Sequence, residues 1–219
     1  MMKILALLLL ASLANADTVI NINKQVDEKL KVVNSLMTER GFGLQLIPKQ
    51  KFQDIELENG ALVGANSLQR PGDATVTIRP SGNTTVDLQI GWHLFATAFG
   101  LIKTQGLQFS GVVNVRDSSF HFAYDIAIKP ECKVTLTHLE YERLADVQFI
   151  GSLPETDQDL SDIYSQQVLP YFNELIAPAK RDAEESLQAH LCHQPKGVLA
   201  SKIHVAAVFD TLAVFLDKQ

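Results

Sequence analysis

The chain has 219 residues, is 46% hydrophobic and 20% charged, and carries a net charge of −6 at neutral pH. That mildly acidic balance, with no basic cluster, argues against nucleic acid as a partner and against a polybasic membrane-surface patch. The length suits one sizeable domain or two small ones.

The chain starts MMKILALLLLASLANAD. A lysine, a short apolar run and Ala14-Asn15-Ala16 make a secretory signal peptide over residues 1–16, too short in its apolar part to span a membrane. A secreted, extracellular protein follows from it. In an oxidising compartment the only two cysteines, Cys132 and Cys192, are expected to pair, free thiols being the alternative.

Residues 22–40 form a first helix, with Val26, Leu30, Val33, Leu36 and Met37 on its apolar face and Gly41 as its stop. The period then changes from helical to alternating. Ile55, Leu57 and Leu62 make a strand with a turn or bulge at Asn59-Gly60, and residues 74–78 make a short one. After the turn at 79–83, Val86, Leu88 and Ile90 alternate, and the strand runs on through Gly91, Trp92, His93, Leu94 and Phe95. Within that turn Asn83-Thr84-Thr85 is a glycosylation acceptor; the modified and unmodified forms both fit the sequence.

Leu107, Phe109, Gly111, Val113 and Val115 share one face of the next strand. A turn is expected at Arg116-Asp117-Ser118, after which Phe120, Phe122, Tyr124, Ile126 and Ile128 share a face. Pro130 interrupts, Val134 and Leu136 resume, and a last strand covers residues 141–150. Long strands with short turns imply an antiparallel meander with one apolar face that needs a cover.

The expected cover is residues 156–192, where an apolar stripe at helical spacing runs through Pro170 and Pro178 without changing phase. We read it as one long kinked helix, two broken helices being the alternative. At about 1.5 Å per residue it would reach roughly 54 Å. The fold class is therefore α+β: a curved antiparallel sheet rolled around a long kinked C-terminal helix. Residues 17–193 form a single wrapped-sheet domain, and residues 194–219 an apolar extension. The extension is read as a docked helix, a cleaved tail and a removed anchor signal being the alternatives.

No nucleophile elbow, phosphate loop or zinc-spaced His/Cys set is present, so neither enzyme activity, nor a cofactor, nor a metal is expected. His190 and His193 suit a helix C-terminus, and His121 falls on the polar face. Glu140 and Glu142 flank Tyr141, and alternation puts both carboxylates on one polar face with no proton partner evident.

Four segments carry a resemblance: INKQVDEKL, RPGDATVTI, VTLTHLEYERLADVQFIGSL and LIAPAKRDAEESL. In this order they resemble the group 7 mite allergens and their arthropod relatives, over residues 17–192. That family is similar to one half of the tubular lipid-binding superfamily, which includes bactericidal/permeability-increasing protein and the juvenile-hormone-binding and takeout proteins. The resemblance implies a super-roll-like sheet around a long helix, and lipid binding rather than catalysis. The cysteine pair and the tail beyond Pro195 depart from what it implies.

The expected function is binding of lipids or other small apolar ligands in a groove between sheet and helix. Candidate lining residues on the strands are Trp92, Leu94, Phe109, Val113, Phe120, Phe122, Tyr124 and Leu136. On the helix they are Val168, Tyr171, Phe172 and Leu175. The same side chains would also serve to fill a solid core. The alternative is an innate-recognition module that binds bacterial lipid or a receptor through loop residues Phe42, Leu44, Trp92, Phe95, Phe99 and Leu101.

Overall fold

The computed structural model describes residues 16–192; the expected signal peptide up to residue 15 and the expected extension from residue 194 lie outside the described residues. Strand β1 (Thr18–Asn21) leads into helix α1 (Asn23–Glu39). The helix ends as its glycine predicts. Gly41 takes φ 81°, and the Phe42 N–H reaches back to the Met37 carbonyl at 2.8 Å. Val26, Leu30 and Met37 are buried, whereas Leu36 faces solvent.

Short strands follow: β2 (Leu44–Ile47), β3 (Gln50–Phe52), β4 (Ile55–Val63), β5 (Leu68–Gln69) and β6 (Thr75–Ile78). Strand β4 runs through Asn59, which takes φ 53°. Then come β7 (Thr84–Trp92), β8 (Phe95–Thr104), β9 (Leu107–Ala127) and β10 (Lys133–Gly151). All pairings are antiparallel.

Strand β9 is the axis. Its far half, Phe120–Ile126, pairs with β7, and its near half, Leu107–Val115, pairs with β8 on the same edge. β7 and β8 thus lie end to end, interrupted only around His93-Leu94, while β10 lines the other edge of β9 along both halves. β6 and β1 extend the β7 half; β4 and β2 extend the β8 half. The order is not a simple meander. The result is an open antiparallel sheet in two halves.

The expected turn at Arg116–Ser118 is absent, because β9 is continuous there. The change of phase is real, however. Core side chains sit at Val113 and Val115 and then at Phe122, Tyr124 and Ile126, and both Ser118 and Ser119 are buried at the switch. A local irregularity turns the strand over without ending it. Gly91 lies against this point: a Cβ there would come within 2.1 Å of the Ser118 carbonyl oxygen.

A single helix over residues 156–192 is not what forms. Residues Pro154–Thr156 make a 3₁₀ turn, and β11 (Gln158–Asp159) pairs with β10. Helix α2 (Ser161–Ile163), a π-helical turn (Tyr164–Val168), α3 (Leu169–Ile176) and α4 (Ala179–Cys192) follow in succession. The prolines explain the breaks. Pro170 offers no N–H, and just before it the Leu169 N–H bonds to the Tyr164 carbonyl, one residue farther back than in an α-helix. Ala177-Pro178 is a turn between α3 and α4.

These helices run along β10, and their polar side chains occupy backbone groups on its edge. Gln188 accepts the Val134 N–H at 2.7 Å and donates to the Cys132 carbonyl at 3.0 Å. Glu184 accepts the Leu136 N–H at 2.8 Å, and Ser161 accepts the Val147 N–H at 3.0 Å. Asn173 binds both the N–H (2.7 Å) and the carbonyl (2.9 Å) of Tyr141. The lengths match: Ser161 to Gln188 at about 1.5 Å per residue spans roughly 40 Å, and Val134 to Val147 at about 3.3 Å per residue roughly 43 Å. An edge strand that would otherwise present bare donors is thereby covered. The Cys132–Cys192 disulfide, with Cα atoms 5.6 Å apart, fixes the α4 end of this arrangement. Among the described residues no helix is long and apolar enough to cross a membrane, which leaves strands out of account.

Candidate apolar site

Two cores form, one under each half of the sheet. Under the β7 half, α1 and α4 close on Val86, Leu88, Phe122, Tyr124, Val134 and Leu136. Ala183 and Leu187 anchor α4 there. Under the β8 half a smaller buried cluster forms from Val115, Leu144 and Val147, with Phe95, Val113, Leu160, Tyr164, Val168, Leu169 and Phe172 packed partly exposed around them.

An aromatic cluster sits where the halves meet. Tyr141 is its centre. Trp92 stacks on it at 5.9 Å, Phe120 meets it edge-on at 5.1 Å and Phe172 lies at 5.7 Å. Phe95 adds a further ring, 4.9 Å from Trp92. The Trp92 indole N–H donates to the Ala65 carbonyl at 3.2 Å. Burial pushes the Tyr141 phenol up to about 12 and raises Tyr164 in the same sense. The environment is therefore apolar although it is incompletely closed.

Helix α3 forms one wall. Within LPYFNELI, Leu169 and Phe172 pack toward the sheet and Ile176 is half-buried, while Tyr171 is 57% and Leu175 56% exposed. No residue of α3 is buried. A helix that is apolar on both faces and buries neither carries binding potential that its own fold does not use.

The expected lining residues separate into groups. Trp92, Val113, Phe120, Val168 and Phe172 come together at the cluster or beside it. Phe122, Tyr124 and Leu136 are closed inside the first core. Phe109 lies farther along β9, edge-on to Phe149 at 6.3 Å. Leu94 is exposed in the bend after β7, and Tyr171 and Leu175 face outward. Asn83 is half-exposed in the β6–β7 turn, where its carbonyl accepts the Arg79 N–H. Tyr141 was not singled out by sequence as a lining residue. Its flanking glutamates mark a polar surface, and the bulge in β10 between Tyr141 and Arg143 alters the alternation beside it.

A shallow depression of about 300 Å³ lies elsewhere, at the tips of the β3–β4 and β8–β9 hairpins. Lys51, Glu56, Lys103 and Gln105 are among its lining residues, so it is polar. Nearby, Lys49 and Lys103 hydrogen-bond Glu58 at 2.8 and 2.9 Å and lower its carboxyl to about 2. No known protein-family model matches the chain, and no curated protein matches it significantly.

Proposed function

We propose that this chain is a secreted, non-enzymatic binding protein for lipids or other small apolar ligands, which lie between α3 and the β8 half of the sheet. The observation that carries the reading is α3, apolar on both faces with no buried residue, over a ring cluster that is only partly covered. Each methylene moved from water into such a site contributes about 0.8 kcal/mol. An acyl chain seating ten of them gains about 8 kcal/mol, which corresponds to a micromolar dissociation constant. No hydrogen-bonding motif is needed for binding of that strength.

In this reading the sheet curves about the helical run as one half of a tubular lipid-binding fold, in keeping with the resemblance to the group 7 allergens. The disulfide suits export into an oxidising compartment. The decisive experiment is titration of the chain with a fluorescent fatty acid, together with native mass spectrometry of the secreted protein. Saturable uptake that falls about tenfold in Phe172→Ala supports the proposal. Absence of uptake, with no lipid co-purifying, overturns it.

The outward-facing Tyr171 and Leu175 favour a second reading, in which the chain engages bacterial lipid or a receptor at its surface. Tyr171→Ser with Leu175→Ser separates the two. Loss of vesicle co-sedimentation with uptake of the free fatty acid intact selects surface binding.

A further inference from the structure

The outer face of the same sheet carries a cluster that neither core uses. β7, β9 and β10 lie side by side there, with Gln89, His121 and Glu140 in register across the three strands. His138 joins them because of a bulge. Leu136 points into the core, and strict alternation would send residue 138 the same way. The register shift between Leu136 and His138 turns the second imidazole outward instead. The two rings stack with centroids 4.2 Å apart and planes 14° apart.

The surroundings are rich in carboxylates. His121 Nε2 lies 3.0 Å from Asp87 Oδ1, and His138 Nδ1 lies 2.7 Å from Glu140 Oε1. Glu142 Oε1 is 2.8 Å from His121 Nδ1, yet Nδ1 is buried and makes no hydrogen bond, so that approach has the distance without the direction. No lysine or arginine among the described residues pairs with Asp87, Glu140 or Glu142. His121 Nε2 has Asp87 as its hydrogen-bond partner, and Nδ1 is left as a buried nitrogen with none. A metal ion bound among these side chains would give unpartnered donor atoms of the cluster a partner.

We propose that His121, His138 and Glu140 bind a divalent transition-metal ion, zinc above all, on the outer face of the sheet. The ligating atoms of these three residues already lie within 4.8 Å of one another. Reaching bonds of about 2 Å requires rotation mainly of His138 and Glu140, which are 45% and 47% exposed. Two imidazoles and one carboxylate suit zinc rather than calcium or magnesium, which take oxygen ligands. Three protein ligands leave the fourth tetrahedral position to water or to an incoming donor. The ion would staple β9 to β10 across the bulge. The inference is independent of the apolar site on the opposite face.

The test uses the full secreted chain without a polyhistidine tag, stripped with a chelator and titrated with zinc sulfate against a chromophoric zinc chelator. One saturable equivalent is expected, weakened at least tenfold in His138→Asn and in Glu140→Gln, and unchanged in His190→Asn. Zinc should also raise the melting midpoint of the wild type and leave that of His138→Asn where it was. Absence of saturable binding overturns the proposal, as does equal affinity in His138→Asn, or loss confined to His190→Asn.

Discussion

The two halves of the sheet share β9 and β10 and differ in how they are covered. The β7 half lies beneath α1 and α4, and its inward side chains are closed off from water. The β8 half lies beneath α2, the π-helical turn and α3, and most of its inward side chains keep some exposure. The difference follows from what holds each helix. α4 has the disulfide, two buried side chains and the Gln188 and Glu184 hydrogen bonds. α3 has Asn173 and partly exposed rings. The first half is closed and held at several points, and the second leaves apolar side chains partly exposed.

The strongest test of this contrast compares two phenylalanines. Phe122→Ala in the closed half should cost about 3–5 kcal/mol in urea unfolding, the usual range for emptying a buried aromatic site. Phe172→Ala, at a partly exposed site, should cost about 1 kcal/mol. Equal losses would break the comparison. Next in size is Cys132→Ser combined with Cys192→Ser, expected to cost about 3 kcal/mol in the same assay. Hydrogen exchange should then rise first along α4.

Asn173→Ala should cost about 1–3 kcal/mol, since it strips partners from both backbone groups of Tyr141. Asn173→Asp should recover part of that, because a carboxylate still accepts the N–H but cannot donate to the carbonyl.

The smallest effects are in pH. The Tyr141 phenol is raised to about 12 from an ordinary 10.0. Its contribution is present below pH 10 and fades as pH climbs toward 12, which ultraviolet titration of the phenolate would follow. Glu58 shows the opposite sign. Its carboxyl is lowered to about 2 from 4.5, so its ion pairs contribute above pH 4.5 and are lost as pH falls toward 2. A carboxyl NMR titration with a midpoint near 4.5 would sink the assignment.

Much of the local structure was legible in the sequence. Helix α1 follows from its stripe and Gly41, the β6–β7 hairpin from the RPSGN turn, and the cysteine pairing from the count of two and the expectation of an oxidising compartment. The change of phase near Arg116 was legible too, but its meaning was not. Alternation that slips by one residue reads equally as a turn or as a strand that flips its faces, and only pairing with β10 on one side and β7–β8 on the other distinguishes them. His138 was hidden for a related reason: a bulge reverses which face a residue takes, and no local pattern announces it. Tyr141 looked polar by association with its glutamate neighbours, although it is the hub of the ring cluster.

The amino-acid order alone determined where apolar and polar residues alternate, and hence the kinds of element and which of their faces shun water, because those preferences act over a few neighbouring residues. Folding in three dimensions decided that the helical run, already broken by its prolines, lies along β10. It also decided that Gln188, Glu184, Asn173 and Ser161 cover an exposed edge, and that one half of the sheet closes while the other stays partly open. Those outcomes depend on partners tens of residues away, whose hydrogen bonds and packing exist only once the strands are side by side.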